Sequence, residues 1–384
     1  MVVDVGLRDV MGLFLSPKAF KYHNPFAMAI VPCLLNDRNF DCIVTALVEK
    51  EWRDFPLERQ WDLLKGFILS CHPIWEIGNG AGEAEQWNWI ATFRSRICGF
   101  PSRLEGKVAI ITGGASGIGA SAASLFHQHG AWVVIADIQD EPGQALAAKL
   151  GQRASYARCD VSIEADVRDL VDATVAEHGR LDLMYNNAGV LDRPLGSVLD
   201  CPLGSILDTS LADLDRVIRV NLYGAFHGAK HAARVMVPQR QGCILFTGSN
   251  CTAIAGVATH TYAASKQAVV GLARGLAAEL GEHGIRVNCV SPHAVSRTGM
   301  SGLGKLSEDE LARWDDGTRV IGNLKGRVLA PESVARAALY LASDEADYVS
   351  GLNMVVDGGY SVVNPSMMMA LAASRSYGKV GLNV

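Results

Sequence analysis

Lys107 to Thr112 reads Lys-Val-Ala-Ile-Ile-Thr, and Thr112 to Gly119 continues Thr-Gly-Gly-Ala-Ser-Gly-Ile-Gly. A short, unbroken apolar run suits a strand buried on both faces, and such strands belong to parallel sheets covered by helices on either side. Gly113, Gly117 and Gly119 then permit positive φ and let the backbone approach a phosphate closely. With Ser116 and Ile118 between them, they lead into a helix whose first amides meet negative charge. The apolar spacing predicts that helix from about Ile118 to His129, ended by Gly130.

The chain resumes an apolar strand at Ala131 to Ala136, with Asp137 at its end, eighteen residues past Gly119. A carboxylate there accepts a hydrogen bond from a ribose 2′-hydroxyl and repels a 2′-phosphate, so the expected cofactor is NAD rather than NADP. The glycine spacing is G-x-x-x-G-x-G, not the G-x-G-x-x-G of the general dinucleotide fingerprint. Further strands are expected near 108 to 112, 132 to 136, 155 to 158, 182 to 186, 243 to 248, 286 to 290 and 353 to 356, with helices between them. The expected fold class is therefore α/β: a Rossmann-type, doubly wound parallel sheet of about seven strands, with the cofactor at the switch point.

The chemistry sits further along. Ser249 precedes Tyr262 by thirteen residues, and Tyr262 and Lys266 stand four apart in a segment, 261 to 280, whose pattern is helical, so they share one face. A phenol titrates near pH ~10, so a neighbouring ammonium is expected to favour the phenolate and make Tyr262 a usable base. Oxidising a secondary alcohol needs such a base, a donor that positions the oxygen, and a hydride acceptor. Tyr262, Ser249 and a bound nicotinamide fill those roles without a metal, and no His and Cys cluster shows zinc spacing in this region.

The loop spacing together with Tyr-x-x-x-Lys resembles the short-chain dehydrogenase/reductase family over roughly Arg103 to Ser366. The resemblance implies that Ser249 hydrogen-bonds the substrate oxygen, Tyr262 exchanges its proton, Lys266 also holds the nicotinamide ribose, and Asn221 keeps a proton-relay water in place. It further implies cofactor contacts from Asn187-Ala188-Gly189, from Asp160 and Val161 beside the adenine, and from Pro292, Val295 and Thr298 on the nicotinamide side. Runs such as Lys230-His-Ala-Ala-Arg-Val-Met and Val355-Val-Asp-Gly-Gly-Tyr look like the plant group of secoisolariciresinol dehydrogenase, xanthoxin dehydrogenase and momilactone A synthase. That likeness implies a small hydrophobic alcohol or ketone as substrate, such as a ring hydroxyl on a terpenoid or lignan, and a homo-oligomer, dimer or tetramer.

Two places depart from the family. Arg297 falls where a Thr that binds the carboxamide is expected, with Thr298 one place late; either Thr298 reaches in through a local adjustment or carboxamide binding is weakened. Arg193-Pro-Leu-Gly-Ser-Val-Leu-Asp is followed at once by Cys201-Pro-Leu-Gly-Ser-Ile-Leu-Asp, a tandem duplication in a loop that borders the substrate cleft in the family. A tolerated surface insertion is the first reading of it, and an altered substrate rim the sharper one.

Residues 1 to 100 stand apart from the dehydrogenase-like segment, 101 to 384: they hold five of the seven Trp, four of the nine Cys, and no phosphate loop. A poorly ordered extension, an accessory module, or a stretch translated through an incorrect start or splice choice all account for them. Phe26 to Leu35 is apolar but short and carries Pro32, so it cannot span a bilayer. Net charge of −5 without a Lys/Arg cluster argues against nucleic-acid or membrane partners. Nine irregularly spaced Cys suggest reduced, buried thiols and a cytoplasmic location. Two other functions fit the same residues: a nicotinamide-binding protein with little activity, and an NADPH-dependent ketone reductase, against which Asp137 speaks.

Overall fold

The structure is a computed structural model that describes residues 102–192, 205–295 and 323–363, with Thr298 and a few positions between 309 and 319. The first 101 residues, Arg297 and most of the duplicated segment lie outside the described residues.

Seven strands form one parallel sheet: β1 (Val108–Thr112), β2 (Trp132–Asp137), β3 (Ala154–Arg158), β4 (Leu183–Asn186), β5 (Gly242–Thr247), β6 (Ile285–Pro292) and β7 (Asn353–Val356). Each lies within two residues of its expected place. Their spatial order is β3-β2-β1-β4-β5-β6-β7. The chain winds outward from β1 to β3, returns to pair β4 with β1, and winds outward again, which opens a crevice where the direction reverses.

Strand residues alternate between two apolar clusters, as a period of two requires. Ile110, Met184, Ile244 and Val287 point to one face, where α3 (Glu164–His178), α5 (Gly224–Gln239) and α6 (His260–Leu280) bury Val171, Ala232 and Val269. Ala109, Ile111, Leu183 and Leu245 point to the other, where α1 (Gly117–Gln128) and α7 (Pro331–Ala342) bury Ala123, Phe126, Val334 and Ala338. The helix α2 (Asp140–Leu150) packs Leu146 and Leu150 on that second face. Burying both sides explains why β1 and β4 carry no exposed residue.

Before α5 comes α4 (Leu211–Ile218), followed by one π-helical turn, Arg219–Tyr223, that holds Asn221. Such wide turns interrupt the regular ladder and turn a side chain inward. The described thiols Cys159, Cys243, Cys251 and Cys289 are buried and free.

Candidate active site

A cleft of about 1170 Å³ runs along the C-terminal ends of the strands across the switch point. Gly113, Ser116, Gly117, Ile118, Asp137, Asp160, Val161, Asn187, Ala188, Gly189, Pro292, Val295 and Thr298 line it, as do Ser249, Tyr262 and Lys266. Gly119 and Asn221 are not in its wall. Gly119 serves packing instead: a Cβ there would lie 2.0 Å from the carbonyl oxygen of Gly113. Gly113, at φ +63, presses on the end of β4, where an added Cβ would meet the Cα of Ala188 at 2.8 Å.

Ser116, the N-cap of α1, is extended and makes no side-chain cap, so the first amides of α1 remain for an anion. Asp137 closes β2, nearly buried, and its carboxylate accepts from the amides of Ala115 and Gln139, both at 3.0 Å. It thereby ties the glycine loop to β2 while facing the cleft. The Asn187 side chain is bonded to the frame: its Nδ2 donates to the carbonyls of Thr112 and Gly113 at 3.0 and 3.2 Å, and its Oδ1 accepts from Thr247 Oγ1 at 2.9 Å. Asp160 accepts from the amide and hydroxyl of Ser162 at 2.9 and 2.7 Å, fixing the turn into α3.

At the other end, β5 delivers Ser249, and the first turns of α6 deliver Tyr262 and Lys266, all buried. Burial pushes the Tyr262 phenol above its ordinary value, and a hydrogen bond with Ser249 draws it part of the way back. Lys266 stands beside Tyr262, as two residues four apart on one helix face must. Lys266 Nζ lies 5.6 Å from the centre of the Tyr262 ring and donates to the carbonyl of Thr247 at 2.8 Å. Loss of hydration lowers the Lys266 amine itself, from 10.5 to about 8. Asn221 braces its surroundings: Oδ1 accepts from Val190 N at 2.8 Å, and Nδ2 donates to Val190 O and Ser265 Oγ, both at 3.0 Å.

The fit to a dinucleotide follows from this geometry. A glycine loop with uncapped helix amides, a carboxylate at the end of β2, and a Ser-Tyr-Lys group lie along one continuous cleft. Residues 113–361 match the family model described as enoyl-(acyl carrier protein) reductase. The (21S)-21-acetoxyl-apo-melianone synthase SDR of Melia azedarach is 59% identical over 271 residues, covering 70% of this chain and 94% of that protein. The (+)-borneol dehydrogenase 1 of Salvia officinalis is 56% identical over 263 residues, covering 68% and 96%. A crystal structure of a short-chain type dehydrogenase/reductase from Mycobacterium marinum superposes with a TM-score of 0.59 at 34% identity, covering 67% of this chain and 97% of that one.

This chain belongs to the short-chain dehydrogenase/reductase family. The family uses a nicotinamide cofactor. Among the described residues, no helix of this short-chain dehydrogenase/reductase is long and apolar enough to cross a membrane.

Several residues that build its site carry no signal in the sequence. Thr112 looks like the last residue of a strand, yet its hydroxyl accepts from the amides of Asn187 and Ala188 at 3.0 and 3.2 Å and so sets the end of β4. Thr247 supplies both the carbonyl for Lys266 and the hydroxyl for Asn187. Neither could be found by spacing, because their partners come from other elements of the fold: the end of β4 for Thr112, the end of β4 and α6 for Thr247.

The buried ammonium of this dehydrogenase/reductase has a thermodynamic consequence. Its folded pKa, about 8, lies below the ordinary 10.5, so between these values the unfolded chain binds more protons and stability rises with pH. Below about 8 the cost of the buried charge is fully present. The ligand-free protein should therefore gain on the order of 1–3 kcal/mol from this group as pH climbs through that window. Lys266→Met should lack the climb, as read from denaturant midpoints at successive pH values; parallel curves for the two proteins would refute the account.

Proposed function

We propose that this chain is an NAD-dependent dehydrogenase that oxidises a secondary, ring-borne hydroxyl of a small hydrophobic specialised metabolite such as a terpenoid or lignan. The observation that carries the reading is the convergence of Ser249, Tyr262 and Lys266 at one end of a cleft whose other end holds Asp137. Val190, Leu191, Val257 and Ala258 give the substrate end apolar walls. The relative from Salvia officinalis is named as a borneol dehydrogenase, which supports a compact cyclic alcohol.

Ser249 holds the substrate oxygen and Tyr262 receives the hydroxyl proton. A nicotinamide held in the cleft would supply the hydride acceptor for the carbon that bears this hydroxyl, and its positive charge. Lys266, held by Thr247, keeps the proton path charged and supports the ribose. Asn221 carries the loop at Val190 and the helix at Ser265, and so keeps the two sides of that path at fixed separation. Closing the site from water strengthens each of these polar contacts.

Tyr223 and Phe226, half-exposed at the start of α5, support association into a homo-oligomer. The buried free thiols support a reducing compartment such as the cytoplasm.

The test is formation of NADH by the purified chain on a panel of cyclic terpene alcohols and lignan diols, with NAD and NADP in parallel. Turnover with NAD is expected; binding of NADH with silence across the panel would leave only the cofactor-binding reading. Cofactor choice has its own test. Asp137→Ala combined with Ile138→Arg should raise the NADP-to-NAD ratio of kcat/KM on the order of 100-fold, because a repelling carboxylate gives way to a cation. Since Asp137 also holds Ala115, absolute rates should fall with both cofactors; an unchanged ratio would remove Asp137 from the discriminating role.

A further inference from the structure

We infer that Asp192 is a positioning residue that latches the segment leaving β4 onto the first turn of α6 and so sets the place of Tyr262. The inference rests on the proposed role of Tyr262 as the proton acceptor. Asp192 lies on the cleft wall near Tyr262 in space, although seventy residues before it in sequence.

Its two carboxylate oxygens each take a hydroxyl from α6 and its cap: Oδ1 accepts from Thr259 Oγ1 at 2.7 Å, and Oδ2 from Thr261 Oγ1 at 2.6 Å. Thr259 is the N-cap of α6, a position where a Thr hydroxyl ordinarily accepts from the helix amides. Here it makes no side-chain cap and is turned to Asp192 instead. The carboxylate takes over part of the lost cap's work, because negative charge beside a helix N-terminus is favourable. Thr261 is covalently next to Tyr262, and both threonines are buried.

The other end of the latch is also fixed. Arg216 of α4 donates to the carbonyls of Leu191 and Asp192 at 3.0 and 2.9 Å, and Asn221 grips Val190 on both its backbone groups. Residues 190–192 are therefore anchored at every position, and Asp192 transmits that anchorage to α6. Removing the carboxylate frees the first turn of α6 to shift, and a displacement of about 1 Å at a reacting group can cost on the order of 100-fold in rate.

Asp192→Ala should lower kcat for a cyclic secondary alcohol at least about tenfold, with the dissociation constant of NADH changed less than about twofold. Asp192→Asn, which keeps one acceptor oxygen, should recover most of the loss. Thr261→Val preserves shape while deleting one donor; joined to Asp192→Ala it should cost no more than Asp192→Ala alone. Unchanged kcat in Asp192→Ala, losses that multiply in the double variant, or a fall in thermal midpoint with kcat per folded molecule intact would overturn the positioning role. Hydrogen exchange supplies a reading independent of turnover: Asp192→Ala should expose amides 260–266 while 270–280 stay protected. Unchanged exchange at 260–266 sinks the latch even in an active enzyme. Faster exchange there in Asp192→Ala, beside a parent that oxidises no alcohol, sinks the proposed function and leaves the latch standing.

Discussion

Tyr262→Phe is expected to reduce kcat for alcohol oxidation by roughly 10²–10⁴-fold, the range lost when a positioned acid or base is deleted. Phe fills the same buried space, so only the hydroxyl and its hydrogen bond with Ser249 disappear. A single lost hydrogen bond is worth about 1 kcal/mol of stability, too little to unfold the domain, and the glycine loop and Asp137 are untouched. NADH should therefore bind with a dissociation constant within about twofold of the parent's, which fluorescence titration can measure. A variant that turns over at more than about a tenth of the parent rate would remove Tyr262 from proton transfer. Because burial holds the phenol above its ordinary value in the ligand-free protein, the parent's oxidation rate should also rise with pH until the base is ionised in the cofactor complex. Tyr262→Phe should show no such limb.

Gly119→Ala should be the most damaging small change at the cofactor end. The new methyl would stand 2.0 Å from Gly113 O, 2.8 Å from Gly113 C and 2.7 Å from Asn187 Nδ2. Two of these are backbone atoms of the phosphate loop, and Asn187 is held by Thr112 and Thr247, so none can yield alone. Overpacking of this kind costs typically 1–3 kcal/mol. It should weaken NADH at least about tenfold, equivalent to about 1.4 kcal/mol, and lower the thermal midpoint by roughly 2–4 °C for each kcal/mol lost. Gly281→Ala makes the control: it has helical backbone angles and nothing within 4 Å of the added methyl, and should stabilise by about 0.5–1 kcal/mol. Equal behaviour of the two variants would refute the packing argument.

The sequence disclosed the frame and the chemical groups far better than it disclosed what holds them. Strands buried on both faces announce themselves as apolar runs, and Gly113 to Gly119, Asp137, Ser249, Tyr262 and Lys266 stand at readable intervals within single supersecondary units. What escaped comes from pairings between segments far apart in the chain. Helix spacing places Lys266 beside the phenol, but its bond to Thr247 O depends on the register of β5 against β4. Asp192 finds Thr259 and Thr261 across 67 and 69 residues, and no local pattern records such a meeting. Family order implies a cofactor contact at Asn187 and a water-holding role at Asn221, but not the backbone and hydroxyl partners that fix their amides in the fold. The doubled segment and Arg297 were visible only as departures, and both fall mainly outside the described residues.

The anchorage at residues 190–192 stands immediately upstream of the two eight-residue copies beginning at Arg193 and Cys201. Length added beyond a fixed point moves the far end of a loop, not the near one, and the entropy of a longer surface loop grows only slowly with its size. The bonds from Asp192 to Thr259 and Thr261 therefore do not depend on how many such units follow Asp192 in the chain.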